Sequence, residues 1–473
     1  TGRRQAVIPR ISGDDLVGEA RKYARKRDWQ SLWWLILSQP LPRAARAAAY
    51  LKRRKWYPRS EADARVADIL TGIDGKDAMR VGDQIFDRTA RILPSMLTAI
   101  DPVGFAVRHP VAALSLHRRD PHTSTIVTVD RTGVRETLYE GPAVHWSLCA
   151  LDAETVIARR EFENGGYRGD TEIVQYTPGG ESVLANGFGL LDAVVDATAT
   201  GFVIGTKLAG VAIAVADGEQ VALDLREHGL RRADQFAVDA TGNRIAFVDG
   251  NRMLITDSRL QPQHEIAVQA LPHGEFSAIT FTEDSIVTSG RDRGLYRWQI
   301  IGDRIRGLHS EMGSRPARQY FRLLPVPQWN LLVAEGGNAN FHYDIATLES
   351  APAPAFLCPA GPHDDKDLSA VHAIGTFEAS AHGRLAVYVG GLATFTYRSV
   401  THFYSTIVQD LEHPLNILAK PLRALDAADA DRVRTYLKPS PGGEDVYPLT
   451  ATERAMLEAA VEVCAWAPRL QGA

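Results

Sequence analysis

A chain of 473 residues, 45% hydrophobic and 23% charged, has the composition of a soluble globular protein and is too long for one ordinary compact domain. Its most apolar stretch, Leu191 to Val215, is interrupted by Asp192, Asp196, Thr206 and Lys207, so nothing approaches the roughly 18 apolar residues that a membrane-spanning helix needs. The formal charge of -4 hides an asymmetry, because residues 1–60 hold 15 Lys/Arg against 4 Asp/Glu and leave the remainder strongly acidic, which predicts two different surfaces.

The opening TGRRQAVIPR carries charge without the apolar segment of a secretory leader. Cys149, Cys358 and Cys464 are widely spaced with no CxxC, which points away from a disulfide framework or a thiolate zinc site and toward a reducing, cytoplasmic setting. From Ser12 to about Ile100 the apolar residues recur at three and four, predicting four to six short helices stacked as hairpins. Ser12 ahead of Asp14 and Asp15, and Ser60 ahead of Glu61 and Asp63, read as helix starts, with Pro40, Pro42 and Pro58 between the periodic segments.

After Pro102 the texture changes to runs of four to eight residues rich in Val, Ile, Phe and Thr, separated by Gly, Asn and Asp turns. Segments such as TIVTVD and RMLITD, each ending in a polar residue, recur at Asp130, Thr177, Asp217, Asp257, Gln299, Asp344 and Asp410. The spacings are 47, 40, 40, 42, 45 and 66, and a period of roughly 40 to 45 with several short strands per copy is the signature of a β-propeller blade. Asp234 to Ser258 shows one copy, with turns at Thr241-Gly242-Asn243 and Asp249-Gly250-Asn251 joining three strands and HEIAVQA supplying a fourth. A single four-stranded blade cannot bury both of its faces; two neighbours bury them, and closing the ring removes the need for end caps. After the propeller, LRALDAADADRVRTYL and LTATERAMLEAAVEVCAW return to helical periodicity, with Thr450 and Glu453 spaced as a capping box.

The pattern resembles the WD40 repeat family on Gly242, Ser289, Gly290, Asp292 and Trp298, with Asp257 and Asp344 at the terminal Asp position. The resemblance covers roughly Pro102 to Lys420 and implies a seven-bladed β-propeller over 102–420; with the helical periodicity on either side, the expected chain is mainly β, with an N-terminal basic α-helical domain over 1–101 and a C-terminal helical extension over 421–473. The Ala-, Arg- and Asp-rich composition and the layout, with RDWQSLWWLILSQPLPRAARAA ahead and ERAMLEAAVEVCAW behind, are also similar to bacterial WD40-like proteins associated with MoxR-type AAA+ ATPases. That similarity implies an adaptor in an ATPase-driven or conflict-related assembly.

Familiar catalytic motifs are missing: there is no G-x-S-x-G, no H-E-x-x-H, and GIDGKDA from Gly72 puts Asp77 where a phosphate-binding loop needs Ser or Thr. GPHDDKD gathers Asp364, Asp365 and Asp367 in the longest connection without EF-hand spacing, so it reads as an acidic contact loop. His145-Trp146, His342 and His402-Phe403-Tyr404 read as packed strand residues rather than general bases. No catalytic residue, cofactor or metal ligand is assigned.

The sharpest electrostatic feature is a pair of basic clusters, Arg21, Lys22, Arg25, Lys26 and Arg27, then Lys52, Arg53, Arg54 and Lys55, interleaved with Trp29, Trp33, Trp34 and Trp56. Three functions compete. The first is a non-enzymatic scaffold, with the basic clusters and then the Asp364–Asp367 loop as protein contacts. The second is nucleic-acid binding through cations on phosphates and indoles on bases. The third is a propeller enzyme with its site at the central channel, weakened by the few charges on strands such as VHWSLCALD.

Overall fold

The computed structural model describes residues 13–54, 56–92, 100–119, 122–164, 167–267, 275–283, 285–290, 294–301, 304–309, 322–327, 330–336, 339–350, 371–379, 385–396, 399–438 and 447–470. The chain divides into two compact units. One comprises residues 1–89, 354–356 and 413–473, the other residues 90–353 and 357–412. By sequence the first holds 26 Lys/Arg against 19 Asp/Glu and the second 27 against 38, so the charge asymmetry follows the structural division.

The first unit contains α1 (Gly13–Lys26), α2 (Trp29–Leu37), α3 (Leu41–Arg54), α4 (Glu61–Gly72), α5 (Gly75–Thr89), α6 (Ala427–Leu437) and α7 (Ala451–Cys464). Ser60 caps α4 by accepting the Asp63 backbone N–H, and Thr450 with Glu453 closes a full capping box on α7, as their spacing predicts. A second box, Asp426 with Asp429, starts α6. Helices from both ends of the sequence share one core: Leu32, Trp33, Ile36, Leu51, Val66 and Leu70 are buried together with Leu418, Leu422, Val433, Leu457 and Val463. Each such side chain contributes on the order of 1.5–3 kcal/mol. Polar links tie the same termini together, since Arg88 Nε lies 3.2 Å from Glu453 and the Leu422 N–H donates to the Gln39 carbonyl at 3.0 Å. Ser12 lies outside the described residues.

The second unit is mainly β. Among the described residues it forms seven separate antiparallel sheets, six of four strands and one of three. Taken along the chain they span residues 100–141, 144–186, 194–224, 236–267, 276–309, 322–344 and 371–410. The seven recurring segments each run along or end the third strand of their sheet: His122–Asp130, Tyr167–Thr177, Val211–Ala216, Arg252–Asp257, Leu295–Ile301, Ala339–Asp344 and Ser399–Asp410. The last sheet takes its fourth strand from far upstream, because Ala90–Ile92 pairs with Ser399–Asp410 through Ala90 opposite Gln409. Helical periodicity therefore ends at Thr89, earlier than the sequence pattern predicts, and a three-residue strand follows at once.

Successive sheets bury their faces on one another. Ala113 and Ile126 of the first meet Leu148, Ala158 and Tyr176 of the second. Ile157 and Ile173 of the second meet Val195, Phe202 and Ile204 of the third. Val203 and Ala214 then meet Ile245 and Phe247, Val248 and Met253 meet Phe281 and Trp298, and Val287 meets Leu323 and Leu332. The first strand of the sixth sheet approaches that of the seventh. Val408 of the seventh is buried with Leu114 and Val127 of the first.

Two glycines make this packing possible. A Cβ on Gly104 would lie 1.9 Å from the Leu148 carbonyl oxygen of the next sheet. Gly242 has φ +71, and a Cβ there would come within 2.3 Å of the Ala199 backbone nitrogen of the preceding sheet.

Candidate functional site

The first basic cluster lies at the end of α1. At 100° per residue, Arg21, Lys22, Arg25 and Lys26 fall within about 140° of the helix circumference, and all four are exposed. Ala20 is buried, and Tyr23 and Ala24 pack on the helical core from the opposite side. The cluster therefore does not wind around the whole helix, as positions 21 to 27 taken as continuous helix would. Arg27 lies beyond it with φ +58: the Arg27 N–H donates to the Ala24 carbonyl and the Asp28 N–H to the Tyr23 carbonyl, which together terminate the helix.

Lys52, Arg53 and Arg54 belong to the end of α3, but their side chains lie outside the described residues. Lys55, the loop of Asp364, Asp365 and Asp367, and Asp292 lie outside them altogether. The interleaved indoles are engaged within the fold. Trp33 is buried with its Nε1–H donating to Asp63 at 3.0 Å. Trp29 and Trp56 stack at 6.3 Å between ring centroids, and Arg423 lies over Trp34 at 5.8 Å. The base-stacking part of the nucleic-acid reading thus finds Trp33 inaccessible.

His145 stands in a buried polar chain between the first and second sheets. Its Nδ1 lies 3.0 Å from Ser124 Oγ and its Nε2 lies 2.9 Å from Tyr176 Oη. Arg160 Nη1 donates to the same Tyr176 oxygen at 3.2 Å, and the guanidinium pairs with Glu172 and Glu181, each at 2.7 Å. Each group is satisfied if Arg160 donates to Tyr176, Tyr176 to His145, His145 to Ser124, and Ser124 to Ser115 at 3.2 Å. Burial, aided by the Arg160 charge, pushes the imidazole pKa down to about 3, so the ring is neutral. Only 1% exposed, with both nitrogens engaged, His145 has no access to a substrate. Trp298 is similarly internal: its Nε1–H donates to Thr288 Oγ1 at 2.8 Å, and its ring meets Phe276 edge-on.

Three polar features carried no usable sequence motif. Lys420 and Asp429 form a buried pair at 2.6 Å in the helical unit, with burial holding the ammonium pKa below its ordinary value. Asp196, on the first strand of the third sheet, is raised to about 6 by burial, against the lowering effects of the Ala197 N–H and of Arg322 on the first strand of the sixth sheet. Arg159, next to Arg160 but on the other face of its strand, is 7% exposed, and its Nε and Nη1 have no hydrogen-bond acceptor among the described residues. Charged residues inside a strand break the expected alternation, and the Arg159-Arg160 pair in VIARREFEN was the one readable sign.

No protein-family model matches the chain, and no curated protein does. Among solved structures it is similar to the β-propeller domain of Cps50 (Swd1) from Myceliophteria thermophila, at 12% identity and a TM-score of 0.42, over 68% of this chain and 99% of that one. No described helix is long and apolar enough to cross a membrane.

Proposed function

We propose that the second unit is a seven-bladed, WD40-like β-propeller and that the chain is a non-enzymatic adaptor for a multiprotein assembly. The observation that carries the architecture is the run of buried sheet-to-sheet cores ending with Val408 against the first sheet. The upstream strand Ala90–Ile92 supports the same reading, because it ties the last sheet to a segment that precedes the first. Seven wedges closed in this way bury every inner face without end caps and leave their rims for binding. His145 works as an internal hydrogen-bond link rather than as a base open to a substrate, which is in keeping with a holding role.

The contacts we assign to partners are the cationic arc of Arg21, Lys22, Arg25 and Lys26, followed by Lys52, Arg53, Arg54 and Lys55 and by the loop at Asp364, Asp365 and Asp367. An acidic protein surface fits the arc better than nucleic acid does, because Trp33 is buried and the half-buried Trp29 and Trp56 stack on each other. By the resemblance noted above, an AAA+ ATPase in a bacterial cytoplasm is the partner class to examine first.

The test is to neutralise Arg21, Lys22, Arg25 and Lys26 together to Gln, which removes the charge without placing carboxylates at a helix C-terminus. Affinity isolation from the native host should recover stoichiometric partners with the unchanged chain and lose them with the variant at the same melting temperature. Equal recovery would refute the assignment, and a salt-sensitive shift of duplex DNA or RNA lost in the variant would move it to nucleic acid.

A further inference from the structure

Arg159 is out of keeping with its surroundings. Its side chain is 8% exposed, yet among the described residues Nε and Nη1 make no hydrogen bond. Its ion pairs are long, with Nη1 3.6 Å from Glu161 and 4.0 Å from Asp192, and Asp192 is shared with Lys207 at 3.2 Å. A buried N–H without an acceptor costs about 1–3 kcal/mol, so a group able to supply one gains that amount on arrival. Arg159, Lys207 and Arg232 already face Glu161, Asp192 and Asp234 here, so the charges balance. A further anion would meet Glu161 and Asp192, whereas an uncharged carbonyl meets no opposing charge.

The strand beside Arg159 is bulged at this point. His145 pairs with Arg160 and Ser147 with Arg159, leaving Trp146 as the extra residue. Trp146 is 49% exposed, whereas Leu148 and Cys149, farther along the same strand, are buried. Ser147 Oγ accepts the Val195 N–H at 3.0 Å, so the bulge also joins the second sheet to the third. Trp146 is the chain neighbour of Ser147, the register partner of Arg159, so an exposed indole and a buried guanidinium with unmet donors lie on adjoining strands, and residues of these two types commonly anchor protein interfaces.

We propose that Trp146 and Arg159 form a docking point for an extended peptide segment of a partner protein. The segment lays an apolar side chain on the indole and turns a backbone carbonyl toward the guanidinium. The carbonyl reaches the covered N–H groups by displacing the loose contact to Asp192, whose own side chain is 48% exposed. This deepens the adaptor reading and rests on it, but it uses a different surface from the cationic arc.

The test begins with a phage-displayed random peptide library panned against the full chain, and the enriched peptide is then measured by fluorescence anisotropy. Enriched sequences should share one aromatic or large aliphatic residue, and affinity should change little as salt is raised. Trp146→Ala and Arg159→Met should each weaken binding by roughly tenfold or more. The variant neutralised on α1 should bind the peptide as the unchanged chain does. Since Trp146 is at the surface, its variant keeps the test decisive even if Arg159→Met perturbs the fold. Failure to enrich any peptide, equal affinity of Trp146→Ala, or binding that collapses with salt would each overturn the proposal. Should it be overturned while capture through α1 persists, the adaptor reading stands without this site.

Discussion

Arg159 and Arg160 are adjacent in sequence and point to opposite faces of one strand, yet their surroundings differ sharply. Arg160 enters the interface between the first and second sheets, where Glu172, Glu181 and Tyr176 take up its donors and His145 continues the chain to Ser124. Arg159 enters the interface between the second and third sheets, where its nearest carboxylate oxygen is 3.6 Å away. Burial alone therefore does not tell a structural charge from a functional one. The separating property is whether the donors are met inside the molecule: a satisfied network holds two sheets in register, and an unsatisfied one leaves a gain for a ligand to collect.

The largest effect expected at the first of these interfaces comes from pH. An unfolded histidine titrates near 6.5, and His145 in the folded chain near 3. Between those values the unfolded chain takes up a proton that the folded chain does not. The contribution is complete above about 6.5 and drains away as pH falls toward 3, by up to about 4 kcal/mol. Urea unfolding measured across that window should show His145→Gln with a slope flatter by one proton; an unchanged slope would mean that His145 is not held neutral. A smaller loss, about 2–3 kcal/mol, is expected for Gly104→Ala, because the new Cβ meets the Leu148 carbonyl and forces the first two sheets apart. Wild-type stability in that variant would show that the two strands are not in close contact.

Much of the architecture could be read from the sequence because it repeats. Seven recurring segments, six of them 40 to 47 residues apart, marked the third strands, and Ser60 and the Thr450–Glu453 pair marked two helix starts, since capping depends on residues only three apart. Ala90–Ile92 could not be read: a strand of three residues has no period, and its partner lies more than 300 positions away. Of the candidate site, the cationic cluster was legible as composition, but its confinement to one side of α1 required knowing that the helix stops at Lys26 and that Arg27 turns out of it. The role of His145 was readable only in outline, from its position among strand aromatics. Trp146 was invisible as an exposed anchor, because the bulge that displays it is a matter of register between two strands.

Urea unfolding of Arg160→Met and Arg159→Met side by side tests most directly whether the two arginines do different jobs. Arg160→Met should lose about 3 kcal/mol, since it strands the buried end of a charged network. Arg159→Met should lose clearly less, about 1 kcal/mol or under, since among the described residues its Nε and Nη1 meet no hydrogen-bond acceptor and its ion pairs to Glu161 and Asp192 are long. Equal losses in the two variants, or a larger loss for Arg159→Met, would contradict the account.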